Sequence, residues 1–157
     1  MRRTLLAASA LVSLVVVGAA AAHIDPTPAK APAGRPTKVA FTVEHGCDGS
    51  PTRSLSIRLP AGITSAKPVS KTGWTIAVKR GGPRRLVREV TWRGNLPDSR
   101  HGRFAIRLGM PESPGKTLYF PAVQRCTRGV IRWIAIPQKG QPEPEHPAPG
   151  VTLVRVR

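Results

Sequence analysis

From Lys38 onward the chain is written in short runs of alternating apolar and polar residues, each closed by glycine, proline or asparagine, and this period of two restricts the fold more than any other feature. In "RSLSIRLP" Leu55, Ile57 and Leu59 fall on one side; in "GWTIAVKR" Trp74, Ile76 and Val78 do; in "RLVREVTWRG" Leu86, Val90 and Trp92 do, with Arg88 interrupting. Successive side chains of an extended strand point to opposite faces, so each run reads as a strand with one buried face. "KVAFTVE", "GRFAIRLG", "KTLYFPAVQ", "GVIRWIAIP" and "GVTLVRV" add further strands, and "GGPR", "GNLPD", "MPESPG" and "CTRG" supply turns. No helical stripe competes with this pattern. About eight strands with regular punctuation predict an all-β fold, an antiparallel β-sandwich.

Before this pattern begins, Arg2 and Arg3 precede the apolar run "LLAASALVSLVVVGAAAA", which ends on small residues at Ala20 and Ala22. That layout predicts a secretory signal peptide over residues 1–22. A membrane span needs roughly 20 strongly apolar residues, whereas half of this run is alanine, serine and glycine. Cleavage after Ala22 leaves residues 23–157, enough for one domain with one core. No second apolar span follows, so no membrane segment is expected after cleavage. The next stretch, "DPTPAKAPAGRP", is too rich in proline for a helix and reads as an extended path over the surface or along a sheet edge. "PQKGQPEPEHPAP" reads as a second proline-rich excursion, placed before the last strand.

The chain carries 25 Lys and Arg against 8 Asp and Glu, a net charge of +17, which attracts anionic surfaces. Nucleic acid is not the expected partner. The cations are scattered singly along the strand patterns, and aromatic residues at 4% are too few for a base-stacking platform. A basic face near acidic envelope polymers suits an exported protein better. Cys47 and Cys126 are the only cysteines, and in a chain that leaves the cytoplasm an even count predicts one disulfide. A thiolate metal site is the weaker alternative, because the two lie far apart without a CxxC or CxH pair.

The motifs "AH" at 22–23, "APAG", "FTVEHGCDGSPT", "GW" at 73–74, "TWRG", "LYFPAVQRC" and "IRWIAIP" occur in that order between His23 and about Pro149. With them the chain resembles the YcnI-like family of bacterial proteins, the domain of unknown function DUF1775. The resemblance implies an exported, immunoglobulin- or cupredoxin-like β-sandwich of the periplasm or cell envelope that binds Cu(II) in copper homeostasis, with another envelope copper protein as a partner. Family members hold the metal in a monohistidine brace, the α-amine and imidazole of the mature N-terminal histidine, assisted by a carboxylate and lying near a tryptophan. His23 matches the histidine and Trp133 the tryptophan. Thr37, in "GRPTKVAF", stands where the carboxylate is expected.

Chemistry supports His23 independently. Cleavage after Ala22 would free an α-amine beside an imidazole, groups that titrate, unperturbed, at about 8 and about 6.5. Two nitrogens on one ion suit tetragonal Cu(II) better than magnesium or calcium, and binding must displace protons, so affinity falls with acidity. For the missing carboxylate, Asp25 ranks first because it lies two residues from His23 in an extended chain; Glu44 and Asp48 follow, and water is an equal alternative. His45 reads as structural, near the disulfide, His101 as a loop residue among arginines, and His146 beside Glu143 and Glu145 as part of a solvated turn, with a weak exposed metal site as the lesser alternative. Trp74, Trp92 and Trp133 each fit a buried strand position. No nucleophile triad, phosphate loop or pair of catalytic carboxylates is present, so a binding rather than an enzymatic role is expected. The competing expectation is an envelope interaction module whose basic surface binds anionic polymers and whose metal site has weakened.

Overall fold

The computed structural model describes residues 23–156; the leader expected at 1–22 lies outside them. The described residues form twelve strands and no helix, as period-two patterning requires. A four-stranded sheet runs β1 (Ile24–Thr27), β3 (Pro36–Val43), β8 (Gly102–Gly109), β5 (Ser65–Pro68), and all its pairs are antiparallel. A five-stranded antiparallel sheet runs β11 (Val130–Trp133), β10 (Ala122–Cys126), β4 (Thr52–Arg58), β7 (Leu86–Leu96), β6 (Thr75–Gly81). The third sheet sets β12 (Gly150–Val154) between β2 (Lys30–Pro32), parallel to it, and β9 (Thr117–Tyr119), antiparallel. The result is the expected β-sandwich.

One core lies between the inner faces. Val39, Phe41 and Val43 of β3 and Phe104, Ile106 and Leu108 of β8 meet Leu55 and Ile57 of β4, Val90 and Trp92 of β7, and Trp133 of β11, all almost fully buried. Phe104 is the aromatic centre, with Trp74 and Trp92 packed edge-on against it at 4.8 and 5.5 Å between centroids, a favoured geometry for aromatic pairs. Trp74 is half-buried and its ring covers Gly94, where a Cβ would stand 2.5 Å from Trp74 Cδ2.

Local departures from alternation have physical causes. In β7 Val87 and Val90 are both buried, although three residues apart cannot share a face of a regular strand. The ladder to β6 skips Arg88, pairing Lys79 with Glu89 but Arg80 with Val87, so a bulge exports the arginine. Val78 is 42% exposed because β6 is an edge strand. "KTLYFPAVQ" is two strands rather than one: at Pro121 the chain leaves the β12 sheet, where Phe120 N–H donates to Pro149 O at 2.8 Å, and enters the β4 sheet, where Pro121 O accepts from Arg58 N–H at 2.9 Å. The proline-rich start forms the edge strand β1 and then β2.

Cys47 and Cys126 form the expected disulfide, with Cα atoms 5.9 Å apart. It joins the turn before β4 to the end of β10. Asp48 occupies that turn with φ of 48°, as its "CDGS" setting predicts. Nearby, buried Gln124 ties the region together: its Nε2 donates to His45 O at 2.7 Å and Thr52 Oγ1 at 2.8 Å, and its Oε1 accepts from Trp133 Nε1 at 3.1 Å. His45 thus contributes its carbonyl here, while its side chain and that of His101 are exposed.

Candidate functional site

Edge strand β1 places His23. Its pairs with β3, Ile24 with Val43 through Thr27 with Ala40, turn Ile24 into the core at 3% exposure. Strand alternation then sends His23 and Asp25 to the outer side, where His23 is half-buried and Asp25 exposed. Both line a cleft of about 630 Å³ between β1 and the third sheet, together with Thr117, Tyr119, Thr152 and Glu143. Prolines 137, 147 and 149 close one side.

Glu143 comes from the proline-rich excursion, and its Oε1 lies 3.9 Å from His23 Nε2. The root of the excursion is fastened by backbone bonds, Ala135 N–H to His146 O at 3.3 Å and Ala148 N–H to Ala135 O at 2.8 Å. His146 packs edge-on against Trp133, centroids 5.0 Å apart, with Nε2 4.0 Å from Glu145 Oε1. It is a half-buried strut more than a solvated turn.

Of the residues singled out by sequence, the structure brings His23 and Asp25 into one cleft. Continuing the β1 register by one residue sets position 23 across from Glu44, which is half-buried. Thr37 is not brought there. Because β1 runs antiparallel to β3, His23 meets the C-terminal end of β3, and Thr37 near the other end lies about 23 Å away along the strand at ~3.3 Å per residue. Its hydroxyl is buried without a partner. Trp133, 1% exposed, does not line the cleft; its indole N–H is spent on Gln124 and its ring faces His146. Glu143 was passed over in sequence as part of a turn. The one signal for it was its position between Pro142 and Pro144, which restrict its backbone.

Among the described residues no three His, Cys, Asp or Glu side chains converge as a preformed metal cage. A brace would draw on a backbone amine that exists only once residues 1–22 are removed. Among the described residues, too, no Lys or Arg is ion-paired with a carboxylate, both close pairs being His–Glu. Lys38, Arg107 and Lys67 lie directly opposite one another across β3, β8 and β5, all exposed. No helix among the described residues is long and apolar enough to cross a membrane.

The sequence model of a family described as "Domain of unknown function (DUF1775)" matches residues 23–153. No curated protein sequence matches the chain. A solved structure described as "Crystal structure of an uncharacterized protein from Nocardia farcinica reveals an immunoglobulin-like fold" is similar: 28% identity, TM-score 0.75, covering 84% of this chain and 98% of that one.

Proposed function

This chain belongs to the DUF1775 family, and from that premise we propose that it is an exported Cu(II)-binding protein that holds or hands on copper through His23 in the cell envelope, without catalysing a reaction. The observation that carries the reading is the place of His23, which stands half-buried at an open cleft, on the same face as Asp25 and beside Glu143. Once the leader is cut, the α-amine and imidazole of His23 offer two nitrogens to one ion, a donor set suited to Cu(II). Carboxylates around the cleft supply negative charge in an otherwise strongly cationic molecule, so a divalent cation is drawn to this point. The disulfide supports an oxidising compartment.

Mass spectrometry of the exported protein, followed by Cu(II) titration, tests the reading. The mature chain should begin at His23 and bind tightly, His23→Ala should lose tight binding, and a chain retaining Ala22 should lose it too, because its amine is moved off the histidine. A mature start elsewhere, or wild-type affinity in His23→Ala, would end the proposal.

A second reading, an interaction module for anionic envelope polymers, is favoured by the Lys38–Arg107–Lys67 row. Like charges directly opposed across strands are destabilising, and this cost is offset when a polyanion lies along them. Retention on a polyphosphate matrix should then weaken with salt and fall in Arg107→Gln; equal retention of both proteins rejects it.

A further inference from the structure

The half of His23 that a brace does not use also has a neighbour. The α-amine and the imidazole of one histidine close a six-membered ring on a metal through Nδ1. The lone pair of Nε2 points away from the residue's own backbone and cannot share an ion with its amine. For Nδ1 to be a neutral donor, the ring proton must therefore sit on Nε2. Glu143 Oε1 lies 3.9 Å from that nitrogen, and among the described residues His23 makes no other side-chain ion pair or hydrogen bond.

We propose that Glu143 is the positioning residue of the site: its carboxylate accepts the Nε2–H of His23, fixes the ring in the tautomer that frees Nδ1, and does not itself touch the metal. The inference rests on the copper reading given above. Ligating histidines typically donate their second nitrogen to a carboxylate, which sets ring orientation and raises basicity. Closing 3.9 Å to a hydrogen bond takes about 1 Å, and Glu143, with 69% of its side chain exposed, has the freedom to do so. Its backbone has less. Pro142 and Pro144 flank it, the Ala135 bonds pin the excursion, and His146 rests on Trp133. Trp133 then acts on the site from a distance, by carrying the segment that carries the carboxylate.

The test uses the mature chain from His23, with Cu(II) alone as probe, in wild type, Glu143→Ala, Glu143→Asp and His23→Ala. Glu143→Ala should bind about tenfold more weakly, the low end of the roughly 10- to 100-fold expected for such partners, given the exposure of Glu143. In the metal-free protein at a pH where the imidazole is neutral, long-range ¹H–¹⁵N NMR should show His23 held as Nε2–H in the wild type and as a tautomer mixture in Glu143→Ala, with Glu143→Asp partly restoring both measures. The copper EPR spectrum should keep its donor set in Glu143→Ala. Unchanged affinity or an unchanged tautomer in Glu143→Ala overturns the proposal, and so does an EPR change showing a lost oxygen ligand. If these hold wild-type values while His23→Ala still loses binding, the positioning role fails and the copper reading stands. Wild-type binding by His23→Ala removes the copper reading itself.

Discussion

Gln124→Leu keeps the volume of a buried side chain and deletes every hydrogen bond it makes, which isolates the polar hub beneath the proline-rich excursion. Gln124 is 1% exposed and serves three partners: His45 O, Thr52 Oγ1 and Trp133 Nε1. His45 is exposed, so water can take over its carbonyl. Thr52 and Trp133 are at 0% and 1%; the Trp133 indole N–H would lose its partner outright, and the Thr52 hydroxyl would lose its donor and keep only a long 3.9 Å contact with Cys126 Sγ. At about 1–3 kcal/mol per orphaned group, less part of the roughly 1 kcal/mol recovered by burying leucine in place of an amide, the net loss is about 3 kcal/mol. For a domain of this size that lowers Tm by about 12 °C, taking ~4 °C per kcal/mol. Urea denaturation gives the free energy directly, and an unchanged m-value certifies that the same surface unfolds. Trp133→Phe removes the donor alone and should cost about 2 kcal/mol from the unpaired Gln124 Oε1 and the lost ring area. Because the two residues share a bond, the double variant should fall short of the sum by about 1 kcal/mol. A loss below 1 kcal/mol in Gln124→Leu, or strict additivity in the cycle, would refute the assignment of Gln124 as the link between the disulfide turn and β11.

Three further outcomes follow from the geometry. Replacing Cys47 and Cys126 by serine opens a bridge that spans 79 residues of sequence and should cost about 4 kcal/mol in denaturant unfolding, since the unfolded chain regains that loop's freedom; a midpoint insensitive to reductant in the wild type would contradict it. Thr37→Val removes a buried hydroxyl without a partner and should raise stability by about 0.5–1 kcal/mol, whereas Thr37→Glu should leave Cu(II) affinity unchanged because of its distance from His23; a gain in affinity there would overturn the β1–β3 register.

The sandwich was legible because alternation is a local property. Leu55, Ile57, Val90, Trp92, Phe104 and Ile106 are buried as their parity predicts, and the disulfide followed from compartment and count. What escaped depends on partners distant in sequence. "SAKP" carries no hydrophobic alternation, yet it becomes β5 because β8 needs a neighbour on its open edge and pairs with it from Ser65 to Pro68. Likewise "KTLYFPAVQ" reads as one run, but Phe120 and Pro121 bond to different sheets, which only the assembled layers determine.

The site shows the same division more sharply. That His23 and Asp25 stand on one side of the chain was legible from their spacing of two, a local argument, and both line the same cleft. The family resemblance puts the assisting carboxylate at the position of Thr37, counted forward from His23 to the start of the first long strand. Antiparallel pairing reverses that count: each step toward Thr37 along β3 is a step away from His23, and the end of β3 nearest the histidine is Val43. A carboxylate could then arrive from β1 itself, from just beyond β3, or from a loop folded back across the edge. The excursion between β11 and β12 takes the third route. It has no alternation and five prolines between 137 and 149, so its path is set by where its ends are tied, at Ala135 and at Phe120 N–H on Pro149 O. Those ties lie beside β1 only because β12 and β9 pack there. Glu143 therefore reaches His23 across 120 residues of sequence through sheet assembly, a contact that spacing along the chain has no means of encoding.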